Sequence, residues 1–342
     1  MKYFAYKTIT NGILLGLSLL AGGCMAVKED DPEPCPQGLE VRFIYDYNLD
    51  RANAFHKQVD CLSLHIYDSN GRFVRTIHET SGALADEDYR MIIDDLPEGD
   101  YRLIAYGGAT CEKSSFSYTT VPAFGTLDTE AGMQLNPECL ERGNERGHLH
   151  DHFYGSVYAN VKVAPQRTKV TVPMMKNTNT FRILLQNLNY EPLDGNDYDF
   201  EIIDDNTLFD HSNDLVDNGN VTYTAWDKGS LSSGSAETLN DTRVITEVKL
   251  AYGDLSTSRL MMKRKPVLRV THLPTATKVI ELPLKYYMLD LRNGHYSWAG
   301  DQEFLDRKSD WQFFFFLDDN RTWNKTIVKV DDWTVRVNDI KN

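Results

Sequence analysis

The sequence predicts an all-β protein made of two β-sandwich domains in tandem, and three observations carry that expectation. Short runs of alternating apolar and polar residues recur along most of the chain. Turn-forming groups such as Asn70-Gly71, Pro97-Glu98-Gly99 and Asn177-Thr178-Asn179 interrupt them. Helical periodicity is confined to one short segment, residues 301–308. Strands joined by turns without crossover helices stack as sandwiches rather than forming parallel sheets. A length of 342 residues fits two domains of ordinary size, and 41% hydrophobic side chains suffice to build their cores. With 36 basic against 50 acidic side chains, the surface repels phosphate backbones, so no nucleic-acid partner is expected.

The chain begins with Lys2 and Lys7, then an apolar segment from Gly12 to Ala21. That is far short of the roughly twenty residues needed to span a bilayer and suits the core of a secretory signal. Ala21, Gly22 and Gly23 lead directly into Cys24. The arrangement resembles the lipobox of bacterial lipoproteins, with Ala21 where the usual motif has Leu, and Leu20 one residue further back. The resemblance implies removal of residues 1–23 and acylation of Cys24 with S-diacylglycerol and N-palmitoyl groups. Each buried CH₂ contributes about 0.8 kcal/mol, so one chain holds marginally and several hold essentially permanently. Outer-membrane lipid is therefore the first expected partner. Residues 24–38 carry three prolines and no apolar periodicity, and read as a linker. Its Lys28-Glu29-Asp30-Asp31 run resembles the acidic signal that sends some Bacteroidetes lipoproteins to the outer face of the outer membrane.

Strands of the first domain (39–165) follow. Leu39 to Tyr47 alternates, with Val41, Phe43, Tyr45 and Tyr47 on one face. Leu62, Leu64 and Ile66 alternate into a hairpin whose Asn70-Gly71 suits a type I′ turn. "RMIIDDLPEGDYRLIAYGG" reads as two strands, residues 112–147 as a polar irregular stretch, and "FYGSVYANVKV" as a further strand. Four cysteines lie here: Cys35, Cys61, Cys111 and Cys139. In an exported protein they admit three pairings. Short loops favour Cys35–Cys61 with Cys111–Cys139. No CxxC or CxxH spacing suggests zinc.

Ala164-Pro165-Gln166 marks the expected boundary, and residues 166–342 the second domain. "TKVTVPMMKNTNTFRILLQNL" reads as a hairpin around residues 176–179. Further strands are expected at 198–203, 221–226, 267–272 and 278–284, and in the closing "WQFFFFLDDN" and "KTIVKVDDWTVRVND". Phe313 to Leu317 is apolar on both faces, so it must lie inside a sandwich or be covered at an interface.

The most enzyme-like string is "HLHDHFYG". On a strand, His148, His150 and His152 would project from one face and could hold a transition metal. Asp151 follows His150 directly, so this is not the HxHxDH signature of metallo-β-lactamase-like hydrolases, and the expectation is an exposed polar strand entry with no metal. No GxSxG, HExxH or P-loop occurs, and no carboxylate pair is singled out among the acids. The expected protein is not an enzyme and carries no cofactor. Trp226, Trp298, Trp311, Trp323 and Trp333 could form a sugar platform, but the last three read better as packing.

In order and spacing, the lipidated cysteine with its acidic linker, "CPQGLEVRFIYDYN", "LPEGDYRLIAYGG", "DHFYG", "STSRL" and the closing "EFLDR…WQFFFFL…IVKVDDWTVRVND" resemble the FimB-type fimbrial anchor lipoproteins of Bacteroidetes, minor subunits of type V pili. The resemblance covers nearly the whole chain from Cys24. It implies two transthyretin-like Greek-key sandwiches and a protein that binds the major fimbrial stalk subunit at the outer membrane, with a role in fimbrial length. In such pili an arginine-specific protease removes the first strand of stalk and tip subunits before strand exchange. An anchor should keep its own first strand, Leu39 to Tyr47, because that strand directly follows the tether. The rival expectation is a surface glycan-binding lipoprotein of a polysaccharide-uptake system.

Overall fold

Alternating residues and tight turns give strands nearly everywhere. The computed structural model describes residues 38–119, 127, 132–162, 166–239, 242–318, 320, 322–330 and 333–335. In chain order the first half contains β1 (Leu39–Ile44), α1 (Phe55–Gln58), β2 (Leu62–Asp68), β3 (Phe73–Glu79), β4 (Met91–Ile93), β5 (Gly99–Gly107), β6 (Phe116–Tyr118), β7 (Gly132–Leu135), β8 (Phe153–Val161) and β9 (Thr168–Lys176). The second half contains β10 (Thr178–Asn187), β11 (Tyr198–Asp204), β12 (Leu208–Asp210), β13 (Leu215–Val216), β14 (Val221–Thr224), β15 (Asp227–Leu239), β16 (Thr242–Ser258), β17 (Val267–His272) and β18 (Thr277–Pro283). It closes with α2 (Leu284–His295), α3 (Asp301–Arg307), β19 (Asp310–Leu317), β20 (Trp323–Val330) and β21 (Trp333–Val335).

Seven strands form one sheet in the order β3-β2-β5-β8-β9-β1-β4. β9 joins β8 through only three pairs, Phe153↔Lys176 to Gly155↔Met174, and the sheet folds over itself there. Leu39, Val41 and Phe43 of β1 consequently share one core with Leu62, Leu64 and Ile66 of β2 and with Leu103 of β5. Tyr67, Ile104 and Tyr106 on the opposite face of β2 and β5 belong to the second core. One layer thus separates two cores, which is why β2 is buried on both faces. The second core is enclosed by a six-stranded sheet, β15-β16-β10-β19-β20-β21, and by two four-stranded sheets, β14-β11-β17-β18 and β13-β12-β7-β6. The architecture is the expected all-β one.

Several local expectations change. The Asp68–Arg72 turn has Gly71 at φ 74° while Asn70 stays at negative φ, so it is not type I′. Asp68 instead accepts the amides of Asn70 (2.8 Å) and Arg72 (2.9 Å), giving a longer loop with glycine in the left-handed position. β9 and β10 are not a hairpin. β9 lies between β8 and β1, and after Asn177 the chain passes into the six-stranded sheet between β16 and β19. β9 therefore belongs to the first sheet although it follows the expected boundary, whose residues 163–165 lie outside the described ones.

The helix α2 was not expected. Leu284, Tyr287, Met288 and Leu291, spaced as one helical face, are buried in the second core. α3 falls where the helical periodicity places it. "QFFFFL" is central in its sheet, with Phe313, Phe315 and Leu317 fully buried and Phe314 and Phe316 half-buried on the other face.

Candidate functional site

The first strand is built into the first core along its length. Leu39, Val41, Phe43 and Tyr45 are at most 2% exposed. β1 pairs in parallel with β9 over six positions, from Leu39↔Thr168 to Ile44↔Pro173, and antiparallel with β4 over three. Each fully buried large apolar side chain contributes roughly 1.5–3 kcal/mol, so losing this strand would open the core between β9 and β4.

Beyond Tyr45 the chain turns sharply. Asn48 Nδ2 donates to the carbonyls of Tyr45 (3.0 Å) and Ala52 (2.8 Å). Asn53 Oδ1 accepts the amides of Tyr45 (3.0 Å) and Phe55 (3.1 Å). At the turn, Arg51 adopts φ 53°, and its guanidinium lies 3.8 Å from the centroid of the Trp298 ring. Arg307 of α3 stacks 4.0 Å from the Tyr47 ring and donates to the carbonyls of Asp46 (3.4 Å) and Asn48 (3.3 Å). Glu303 holds the Arg307 Nε at 2.8 Å. Side chains of the second half therefore grip the exit of the first strand.

A cleft of about 1140 Å³ opens between α1, the turn at residues 80–85 and the segment 145–151, with Lys176, Trp226 and Asp310 among its lining. A hollow of about 470 Å³ shares Thr180, Trp226 and Asp310 with it and adds Arg182, Asp254 and Trp311. Trp226 stacks on His148 with centroids 4.2 Å apart. The cleft's four basic side chains (Lys57, Lys113, Arg146, Lys176) match its four acidic ones (Asp60, Glu145, Asp151, Asp310), a formally neutral lining in a chain of net charge −14.

Residues 32–339 match the family model of the fimbrillin-A associated anchor proteins Mfa1 and Mfa2. The chain belongs to this family. A candidate adhesin from Bacteroides thetaiotaomicron is 45% identical, covering 90% of this chain and 100% of its own, with a TM-score of 0.82. A candidate polysaccharide-binding protein from the same species is 29% identical over 88% of this chain and 98% of its own, with a TM-score of 0.71. The fimbrial anchor protein Mfa2 from Porphyromonas gingivalis shares the fold at 14% identity, covering 88% of this chain and 99% of its own, with a TM-score of 0.61. No curated protein sequence matches significantly. Family membership supports a fimbrial anchor or adhesin role at the base of a cell-surface fimbrium. Among the described residues, no helix is long and apolar enough to cross a membrane.

In this anchor-family chain the cysteines pair differently from expectation. Cys61 is bonded to Cys111, which replaces the pairing of Cys35 with Cys61 and of Cys111 with Cys139. The reason is topological: Cys61 immediately precedes β2 and Cys111 follows β5, and these antiparallel neighbours bring Leu62 opposite Gly107. The Gly108 amide donates to the Cys61 carbonyl at 3.0 Å beside the bond. Cys139 is a buried free thiol in the second core, and burial pushes its pKa up. Cys24 and Cys35 lie outside the described residues.

The three histidines do not share a strand face, because β8 begins only at Phe153. His148 stacks on Trp226, and His150 Nε2 meets Asp60 at 3.0 Å. His152 is fully buried, 4.5 Å from the Phe116 ring, and accepts from Asn177 Nδ2 at its Nδ1 (3.3 Å). Burial lowers its pKa to about 3. Rather than an exposed strand entry, the segment is a cleft wall and a core plug. Among the described residues, Asp60, Cys111 and His150 lie within metal-ligand reach of one another, but the Cys111 sulfur is committed to the disulfide. Trp311 is buried and Trp323 packs against Phe315 and Tyr287, as expected of core residues. Trp333's side chain lies outside the described ones. The Arg51–Trp298 and Arg307–Tyr47 contacts were not anticipated, since no spacing rule links residues so far apart in sequence.

Proposed function

We propose that this chain anchors a surface fimbria. Acylated Cys24 sits in outer-membrane lipid facing the cell exterior, residues 25–38 lift the body off the membrane, and the two sandwiches bind the basal stalk subunit. The role is binding rather than catalysis and needs no cofactor. The observation that carries the reading, beside family membership, is the first strand, buried on one face and gripped at its exit by Trp298 and Arg307. A chain whose tether leads straight into a core strand keeps polymer and membrane connected only while that strand stays attached. The test is a Cys24→Ala allele. Stalk subunits are expected to co-purify with the wild-type chain in outer membranes, and the mutant cells to shed fimbriae of altered length. Fimbriae retained at normal length on the mutant cells would refute the proposal.

A second reading is favoured by the cleft. Its neutral, hydrogen-bonding lining beside Trp226 suits a polyhydroxylated ligand, as does likeness to a candidate polysaccharide-binding protein. Oligosaccharide binding that is lost on Trp226→Ala would support it, and no binding across a broad glycan panel would reject it.

A further inference from the structure

β1 and β9 run parallel, and that direction determines how the pair meets a pull. Leu39 at the start of β1 lies opposite Thr168 at the start of β9, and Ile44 lies opposite Pro173. β9 ends at Lys176 and, after Asn177 alone, continues into β10 between β16 and β19. Asn177 is fully buried. Its amide donates to the His152 carbonyl (2.7 Å), and its side chain exchanges hydrogen bonds with Asn213 (2.7 and 3.0 Å). A pull on the chain ahead of Leu39, resisted by the second half, therefore draws β1 out at one end and β9 out at the other. The load lies along the strands, and the evenly spaced bonds of the parallel pair are stressed together. Pulling both strands from the Leu39–Thr168 end would instead open that pair first and run down the ladder one bond at a time.

We infer that the β1–β9 pair is a shear joint that carries tension from the N-terminal segment into the second half. The inference rests on the anchor reading only for the source of the load. Three features brace the joint. β4 pairs with its loaded end, from Leu39↔Ile93 to Val41↔Met91. The Thr168 amide donates to the Gly38 carbonyl at 3.0 Å, and Arg167 pairs with Asp94 beside it. At the far end, Arg307 and Trp298 hold residues 46–51 to the second half. Slippage is blocked as well, because a shift of one residue would turn Leu39, Val41 and Phe43 out of the core.

Single-molecule pulling on the full chain tests the joint. One handle is placed at the N-terminus and the other on an azide-bearing residue at either Glu191 or Gln166, both exposed and away from the native cysteines. The Glu191 geometry shears the pair and the Gln166 geometry peels it. Forced rupture reports the barrier along the imposed direction. The first rupture force at one loading rate is expected to be several-fold higher with Glu191 than with Gln166. Equal forces, or a lower force with Glu191, would overturn the inference while leaving anchoring intact. Failure of stalk co-purification would remove the source of load but leave the force difference standing.

Discussion

The guanidinium of Arg51 lies 3.8 Å from the ring centroid of Trp298, joining the exit of the first strand to the segment between α2 and α3. Arg51 also holds a left-handed backbone conformation, φ 53°, far from the extended form a protease cleft requires of the residue it cuts after. Exposed loop tips are cut in proportion to how often they open. Trp298→Ala removes a cation–π contact of roughly 0.5–2 kcal/mol, so trypsin cleavage after Arg51 should accelerate about two- to thirtyfold. Mass spectrometry would follow the fragment that begins at Ala52. An unchanged rate in the variant, or a native chain that already starts at Ala52, would show that the clamp does not guard this bond.

The Cys61–Cys111 bond closes a loop with a sequence separation of 50. By loop-closure entropy such a crosslink stabilises by about 4 kcal/mol, less any native strain. Cys61→Ser/Cys111→Ser should lower the urea midpoint accordingly. Thiol labelling of the denatured wild type under non-reducing conditions should modify Cys139 and spare Cys61 and Cys111. Recovery of a Cys111–Cys139 peptide instead would contradict the connectivity.

Strand existence was legible because alternation is local: β1, β2, β11, β17 and β19 fall where the apolar spacing puts them. Strand partnership was not. Nothing within residues 167–187 reveals that β9 pairs with β1 while β10 pairs with β16, since both assignments satisfy the same alternation. α2 was masked by the preceding strand residues, "KVIELPL", which draw a β reading across the point where Pro283 starts the helix. The histidine segment reads as exposed because His152 looks polar in sequence. A neutral imidazole stacked on Phe116 packs as an aromatic residue. The disulfide is not legible in the sequence, because loop length carries no information that β2 and β5 are neighbours.

Two histidines are held neutral by burial. His65, between Thr76 Oγ1 (2.7 Å) and Tyr118 Oη (2.9 Å), has its pKa lowered to about 3 by desolvation and the nearby His78, and His152 is lowered to about 3 by desolvation and the nearby His150. Their folded pKa values lie below the unfolded value near 6.5, so the unfolded chain binds these protons first. The stability they contribute is present above pH 6.5 and drains as pH falls toward 3, by up to about 1.4 kcal/mol per pH unit per histidine. Urea midpoints should fall steadily from pH 6.5 to 4. In NMR titration, two of the nine histidines should show no imidazole shift above pH 5. Nine rings that all titrate near 6.5 would refute the assignment.

Asp204 shows the opposite sign. It is 2% exposed at the end of β11, and its Oδ2 has no hydrogen-bond partner among the described residues. The nearest cations are engaged elsewhere: Arg264 pairs with Asp205 and Asp217, and Lys285 donates to the carbonyls of Met262 and Arg264. Desolvation dominates and lifts the carboxyl to about 6. A folded pKa above the unfolded 3.8 means that this group favours the fold fully below pH 3.8 and increasingly burdens it as pH rises through 6. Asp204→Asn keeps the shape and removes the charge, so it should stabilise the protein by about 1–3 kcal/mol at pH 7.5 and by almost nothing at pH 4. Thermal melts of both proteins at the two pH values decide it. The difference in Tm must shrink on acidification, and a difference that stays constant would mean that the amide acts through packing rather than through the buried charge.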